Sequence, residues 1–187
     1  MITDLTFLEE GSYTQRTKLV RKIADGIRKS PERPLKQISV LVSSLKFDET
    51  TKPAEFRKRT ASEVLESGYV TGCSDVGIAF LVLAREFGIP AKYIETLSKD
   101  FIEHPSKCVE GHVFAEIFWD GKWRPHEPKR GFNKENKFIL NGRIYVEVGA
   151  GLDFSGVYLK NADGEYEAEP INLQDIYLFC RTRYPKK

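Results

Sequence analysis

The sequence has few cysteines, little net charge and no long hydrophobic run. Its 187 residues include 29 Lys and Arg against 27 Asp and Glu, a near balance that favours neither nucleic acid nor an anionic membrane as a partner. No stretch approaches the ~20 apolar residues that a membrane-spanning helix needs. The first residues, MITDLTFLEE, carry acidic groups, where a signal peptide would need a basic region followed by an apolar one. We therefore expect a cytoplasmic protein.

The three cysteines, Cys73, Cys108 and Cys180, are an odd number, and no two of them form a CxxC pair. This set is not typical of a disulfide framework or of a zinc site. Cys108 and His112 have a C-x3-H spacing and, with Cys73, would supply three metal ligands, but structural zinc sites usually carry paired ligands. An acidic loop with calcium-ligand spacing is also missing. We expect reduced thiols and neither a metal nor another cofactor.

The N-terminal third of the chain is predicted to be helical. Apolar residues recur at three- and four-residue spacing over residues 14–28 and again over residues 34–45. A third helix is predicted over residues 54–67, with Gly68 as its left-handed C-terminal cap. Residues 16–36 are rich in Lys and Arg, but such a run usually forms the solvated face of a helix.

The remainder combines one buried helix with short strands. The segment that begins at Asp75, DVGIAFLVLAREFG, is apolar on nearly every side, which is typical of a helix inside the domain. Short β-like runs follow Gly88, and the dipeptides Asp-Gly and Asn-Gly separate several of them. The runs are AKYIETL, HVFAEIFW, KWRPH, KFIL, RIYVEVG and GVYLK. A last helix is predicted over residues 172–183, with Asn172 and Asp175 as capping residues.

Helices followed by hairpin strands predict an α+β fold, in which the buried helix packs on one face of an antiparallel sheet. The length is that of one domain. We expect a single domain over residues 1–187, with a helical portion at 1–60, a central portion at 61–130, and further strands and a C-terminal helix at 131–187.

Cys73 lies at the first turn of the predicted buried helix. Free backbone N–H groups and the helix dipole at this position stabilise a thiolate and lower the pKa of a thiol. The same N–H groups would serve as donors to an oxyanion that forms when the sulfur attacks a carbonyl carbon. On position alone, however, a small buried cysteine is an equally good interpretation.

Strand geometry selects the partner of His112. If Asp120-Gly121 is a two-residue hairpin turn, paired residues face each other so that Ala115 lies opposite His126. Because side chains alternate between the faces of a sheet, His112 and Glu127 project on one side and His126 on the other. Glu127 is then a diagonal neighbour of His112. A one-residue slip in register would put His126 in place of Glu127.

The stretch from about Ser62 to Glu127, about a third of the chain, resembles the core of the transglutaminase-like superfamily, a papain-like group of thiol enzymes. The resemblance rests on GCSD around Cys73, AREFGIPAKYI, GHVFAEIFWDGKW around His112, and the Glu127-Pro128 pair. It departs from the family pattern in two places. Glu127 stands where the family usually has aspartate, and Val-Phe follows the histidine where Ala-Trp is commoner. Glutamate keeps the charge and the acceptor oxygens, so the departure concerns geometry more than chemistry.

The resemblance implies a papain-like fold with residues 61–130 as the catalytic core. It also implies acyl transfer by a triad of Cys73, His112 and Glu127, with no cofactor. The substrate would be an amide in a protein or peptide, and hydrolysis is favoured over transfer to an amine. The alternative is a catalytically silent domain of the same fold that binds a peptide or protein. A third hypothesis, nucleic-acid binding through residues 16–36, is disfavoured by the acidic residues there.

Two further segments have open roles. The polar loop that contains His104 and Cys108 leads into the histidine strand and is expected either to border the cleft or to be an ordinary surface loop. The GAGLD segment at residues 149–153 would form a sharp bend near the cleft. Asp75 is expected to be a first-turn helix acid and not a catalytic group.

Overall fold

The computed structural model describes residues 4–105, 109–133, 135–161 and 163–185. A short 3-10 helix at Asp4–Leu8 precedes the first α-helix. The α-helices are α1 (Lys18–Arg28), α2 (Pro34–Ser44), α3 (Lys52–Glu55), α4 (Ala61–Ser67), α5 (Cys73–Glu86), α6 (Lys99–Glu103) and α7 (Ile176–Arg183). The strands are β1 (Lys46–Phe47), β2 (Tyr69–Val70), β3 (Ala91–Ser98), β4 (Gly111–Trp119), β5 (Lys122–Glu127), β6 (Gly131–Phe132), β7 (Phe138–Leu140), β8 (Arg143–Gly151), β9 (Val157–Lys160) and β10 (Tyr166–Ile171).

The main sheet has the strand order β10-β9-β8-β3-β4-β5-β6, with β7 paired to β8, and its neighbouring strands are antiparallel. A separate parallel pair joins β1 to β2, and it places Phe47 beside Val70. Helices packed on an antiparallel sheet confirm the predicted α+β fold. In the part of the chain that the structure describes, no helix is both long and apolar enough to cross a lipid bilayer.

The central helix α5 is buried from Ser74 to Arg85. It packs on β3 and β4 and is surrounded on its other sides by α1, α2 and α4. The approach to β4 is close, because a Cβ atom added at Gly77 would lie 2.7 Å from Cγ1 of Val113. Glycine at this position therefore lets the helix that begins with Cys73 lie tightly against the strand that carries His112.

Three predicted helices differ in extent from the observed ones. The first begins at Lys18, after the cap residue Thr17, and not at Thr14. The third is interrupted between α3 and α4, where Arg57 adopts a φ of 56° and its side chain is buried against Glu95. The break also has a local cause, because Thr60 and Glu63 form a capping box that starts α4 at Ala61.

The C-terminal helix is also shorter than predicted. It begins at Ile176, and its cap is Asp175, which accepts a hydrogen bond from the N–H of Leu178. Asn172 instead accepts the N–H of Gln174 in the preceding turn. The left-handed cap predicted at Gly68 is confirmed by its φ of 72°.

Candidate active site

Cys73 is the first residue of α5, directly after its N-cap, Gly72. The first N–H groups of a helix have no acceptor within the helix, and their partial positive charge lies at the end of α5 where Cys73 stands. Cys73 as a residue is partly exposed. Its thiol is thus placed where a negative charge is stabilised.

Asp75 holds the turn that carries Cys73. Its Oδ2 accepts hydrogen bonds from the backbone N–H and the hydroxyl of Thr71 at 2.8 and 2.9 Å, and from the Arg59 guanidinium at 2.6 Å. The carboxylate is fully buried. Asp75 therefore binds backbone and guanidinium and does not face the cleft, which agrees with its predicted structural role.

The β4–β5 hairpin has the predicted register. Asp120 and Gly121 both have positive φ, and the paired residues run from Trp119 opposite Lys122 to Ala115 opposite His126. Nε2 of His112 lies 3.2 Å from Oε1 of Glu127. The second oxygen of Glu127 accepts the backbone N–H of Lys129 at 2.9 Å, which fixes the carboxylate against the imidazole.

His126 lies on the opposite side of the strand. Its ring stacks on Phe80 of α5 with the centroids 4.7 Å apart, and Nε2 lies 3.4 Å from the hydroxyl oxygen of Ser39. Burial lowers the pKa of His126 to about 4, although the charge of Glu127 opposes this shift. His126 is thus a neutral core residue, and Glu127 is the group beside His112.

The thiol of Cys73 and the imidazole of His112 lie close enough to shift each other's pKa through hydrogen bonding and charge. Burial by itself would raise the pKa of the thiol, but the hydrogen bond and the charge of His112 outweigh it, and the pKa lies below its ordinary value. Burial likewise opposes the protonated form of His112, whereas its hydrogen bonds to Cys73 and Glu127 raise its pKa to about 9. Both shifts act in favour of the thiolate–imidazolium pair over the pair of neutral groups.

Cys73, His112 and Glu127 share a cleft of about 290 Å³. Its walls include Phe47, exposed at the rim, and Leu140 of β7. We call this the thiol cleft. A cleft with apolar walls and a few polar side chains is typical of a site for a small ligand or a substrate.

A buried ion pair lies within electrostatic range of the thiol. Nη2 of Arg57 donates to both oxygens of Glu95 at 2.9 and 2.8 Å, and Nη1 donates to the carbonyl of Leu173. The hydroxyl of Tyr93 donates to the same carboxylate at 3.1 Å. The charges of Glu95 and Arg57 act on the pKa of Cys73 in opposite directions. The pair therefore ties the α3–α4 segment to β3 near the site without adding net charge.

The other residues with predicted or open roles lie elsewhere. His104 is an exposed residue at the end of α6, and Cys108 lies outside the described residues. Asp153, in the GAGLD segment, is buried and accepts the backbone N–H of Tyr13 at 2.8 Å, so it anchors the N-terminal segment. Cys180 is buried, which raises the pKa of its thiol to about 12. Within the described residues, no three His, Cys, Asp or Glu side chains are grouped as metal ligands.

Sequence reasoning missed two supports of the site. The Arg59–Asp75–Thr71 network had a partial local signal, because an acid three residues after the cap position Gly72 is typical of a helix N-terminus. No local sequence signal predicted the Arg57–Glu95 pair, since the two residues are 38 positions apart and come from different elements.

The chain is similar to a known protein family and to solved structures. The family model of the transglutaminase-like superfamily matches residues 17–128. A solved structure of a candidate cysteine protease from Cytophaga hutchinsonii is similar over 80% of this chain and 47% of its own, with 19% identity and a TM-score of 0.58. The chain thus spans about half the length of that protein.

A second solved structure with a similar fold is LapG from Legionella pneumophila, treated with EGTA. The alignment covers 89% of this chain and 90% of that one, with 14% identity and a TM-score of 0.51. A search of curated protein sequences found no match. At these identities the two solved structures show a shared fold, while the family model covers more than half of the chain.

Proposed function

Since this chain belongs to the transglutaminase-like superfamily, we propose that it is a thiol enzyme that acts on an amide bond through Cys73, His112 and Glu127. The observation that carries the proposal is that Cys73, His112 and Glu127 line one cleft, in which the imidazole lies 3.2 Å from the carboxylate. A nucleophile, a base and a group that orients the base are the components of covalent acyl transfer.

In the proposed reaction, the thiolate of Cys73 attacks the carbonyl carbon of an amide. The carbonyl π electrons move to oxygen, and the N–H groups at the start of α5 donate hydrogen bonds to the oxyanion. The tetrahedral intermediate then breaks its C–N bond, and His112 gives its proton to the leaving nitrogen. The products are an amine or ammonia and a thioester on Cys73.

Water completes the reaction in the version that we favour. The imidazole of His112, now neutral, removes a proton from water as the oxygen attacks the thioester carbon. Collapse of the second intermediate releases a carboxylic acid and restores the thiolate and the imidazolium. Glu127 accepts the Nε2–H of His112 throughout, so it keeps the other ring nitrogen, Nδ1, available to the sulfur and stabilises the cation.

Alkylation by iodoacetamide tests the nucleophile directly. We expect Cys73 to be carboxamidomethylated at neutral pH much faster than Cys180, because the pKa of Cys73 is lowered and that of Cys180 is raised to about 12. In His112→Ala the rate at Cys73 should fall, with its pH profile displaced to higher pH. Equal, slow labelling of both cysteines only above about pH 8.5, the unperturbed thiol value, would favour a silent binding domain instead.

Casein, as a disordered polypeptide, tests the reaction type. Mass spectrometry distinguishes peptide-bond cleavage, conversion of glutamine to glutamate, and incorporation of dansylcadaverine as an amine acceptor. We expect one of the first two products to predominate and to be absent with Cys73→Ala. Amine incorporation as the main product would replace hydrolysis by transamidation while leaving the thiol mechanism intact.

A further inference from the structure

A second cavity, of about 470 Å³, lies between the start of α2 and the β5–β6 hairpin. We call it the α2 cavity. Its walls include Leu35, Val40, Trp119 and Phe132, and its size falls within the range of about 300–1,000 Å³ that is common for ligand sites. Val40 and Phe132 are 59% and 38% exposed, so part of this apolar surface is in contact with water. An occupant with an apolar group would cover it.

The rim of the α2 cavity is basic. Arg33 and Lys36 lie on the side of α2, and Lys129 and Arg130 on the side of the hairpin. Lys36 pairs with Glu32 at 3.2 Å, whereas the other three make no ion pair with any residue that the structure describes. The Arg130 guanidinium donates to Oδ1 of Asn141, a neutral side chain, at 2.7 Å.

The interior adds no charge of its own. The ring of His126 forms part of the wall, and it stays neutral because burial lowers the pKa of His126 to about 4. An apolar chamber with a cationic rim, three of whose four cations lack an ion pair among the described residues, complements an apolar group that is flanked by carboxylates.

The α2 cavity adjoins the thiol cleft. Lys129 and Arg130 line both spaces, and the backbone N–H of Lys129 is hydrogen-bonded to the Glu127 carboxylate. An extended polypeptide in the thiol cleft would therefore pass the turn at residues 128–130 and reach the α2 cavity. A small free amphiphile would occupy the α2 cavity alone, and the adjoining thiol cleft would add nothing to its affinity.

We propose that the α2 cavity is a substrate subsite that binds an apolar side chain flanked by acidic residues in the polypeptide on which Cys73 acts. This inference rests on the proposed function and narrows it to acidic, hydrophobic segments. The apolar side chain lies against Trp119 and Phe132, and the flanking carboxylates face Arg33, Lys129 and Arg130.

The test uses 15N-labelled Cys73→Ala protein, titrated with short synthetic peptides whose cores are Glu-Leu-Glu, Gln-Leu-Gln, Lys-Leu-Lys and Glu-Gly-Glu. The indole signal of Trp119 reports occupancy of the α2 cavity. We expect this signal to move with Glu-Leu-Glu, which should bind at least about fivefold more tightly than Gln-Leu-Gln and Lys-Leu-Lys, as two or three partly exposed ion pairs would give. It should also bind at least about fivefold more tightly than Glu-Gly-Glu, which keeps the carboxylates but lacks the apolar side chain. The preference should weaken as salt is added.

Two variants probe the walls without touching the thiol cleft. Arg33→Glu should remove most of the preference for Glu-Leu-Glu. The substitution should not destabilise the fold, because an acidic side chain is favourable at the N-terminus of a helix. Val40→Asp should weaken all the leucine peptides. The matched control is Lys22→Glu on α1, an exposed charge reversal outside both cavities, which should leave the affinities unchanged.

Alkylation of Cys73 in otherwise wild-type protein separates this inference from the proposed function. A reactive Cys73 with equal affinities for the four peptides, or with no movement of the Trp119 signal, would overturn the subsite and leave the enzyme proposal standing. Tight binding of decanoate without discrimination among the peptides would assign the cavity to a small amphiphile and also overturn it. An inert Cys73 with selective binding of Glu-Leu-Glu would defeat the enzyme proposal, and with it the subsite as a substrate site.

Discussion

Glu127 and His126 are adjacent in the chain and project from opposite faces of one strand. The carboxylate of Glu127 lies 3.2 Å from Nε2 of His112, whereas the ring of His126 stacks on Phe80 with centroids 4.7 Å apart. The tight turn at Asp120-Gly121 sets this alternation, because a one-residue slip would exchange the two side chains. The thiol cleft therefore depends on a hairpin register as much as on residue identity.

Glu127→Gln should decrease the reactivity of Cys73 at neutral pH. The glutamine keeps the size of the side chain but removes the charge that helps to raise the pKa of His112 to about 9. With less imidazolium, the pKa of the thiol rises, and the alkylation rate at pH 7 should fall by about tenfold for each pKa unit. The pH profile of alkylation by iodoacetamide measures the change.

Glu116→Gln is the matched control for this substitution, because Glu116 lies on the same strand as His112 but pairs with Lys92 at 3.3 Å. Its alkylation profile should equal that of the wild type. Identical profiles for Glu127→Gln and Glu116→Gln would show that the carboxylate does not tune the imidazole.

Asp75→Asn should destabilise the fold and displace the thiol. The substitution removes the buried carboxylate of Asp75 from the Arg59 guanidinium, which keeps Glu55 at 3.3 Å as an ionic partner, and it weakens the contacts to Thr71. Breaking a buried pair costs about 3–5 kcal/mol when the remaining charge has no other partner, so we expect a loss below that range. Urea unfolding measures the loss, and alkylation below the unfolding transition should be slower at Cys73. Unchanged alkylation would limit Asp75 to a role in stability.

Gly77→Ala should separate α5 from β4. The added Cβ would lie 2.7 Å from Cγ1 of Val113, and such overpacking costs about 1–3 kcal/mol. Since α5 begins with Cys73 and β4 carries His112, the substitution should also slow alkylation of the thiol. Gly26→Ala is the matched control, because nothing lies within 4 Å of an added Cβ there, and alanine in helix α1 should stabilise by about 0.5–1 kcal/mol. Similar effects of the two substitutions would contradict the packing argument.

His126 should make the folded protein less stable as the pH falls. Its pKa is lowered to about 4 in the folded chain from an ordinary value of 6.5, so the unfolded chain binds the extra proton between these values. Stability is therefore fully present above pH 6.5 and falls by up to about 3 kcal/mol as the pH approaches 4. In urea unfolding, His126→Gln should have a shallower pH dependence than the wild type over this window. Parallel curves for the two proteins would place the acid sensitivity elsewhere.

Much of the fold could be read from local pattern. The period of apolar residues predicted α2 to within one residue at its end, and the turn dipeptide Asp120-Gly121 predicted the β4–β5 register that brings Glu127 to His112. The continuous helix predicted over residues 54–67 was wrong, because Arg57 has a left-handed backbone conformation beside Glu95, a distant residue in a strand, and because the capping box of Thr60 and Glu63 starts a new helix at Ala61.

The sequence by itself determined the thiol at the head of a buried helix, the order of helices and strands, and the face of β5 on which each side chain projects. These features follow from periodicities and turn preferences that act over a few residues. Only the tertiary structure decided that Cys73 meets His112, that Arg57 and Glu95 form a buried pair, and that Lys129 and Arg130 join the thiol cleft to the α2 cavity. These contacts form between segments far apart in the chain, where packing and charge burial, and not local propensity, select the neighbours.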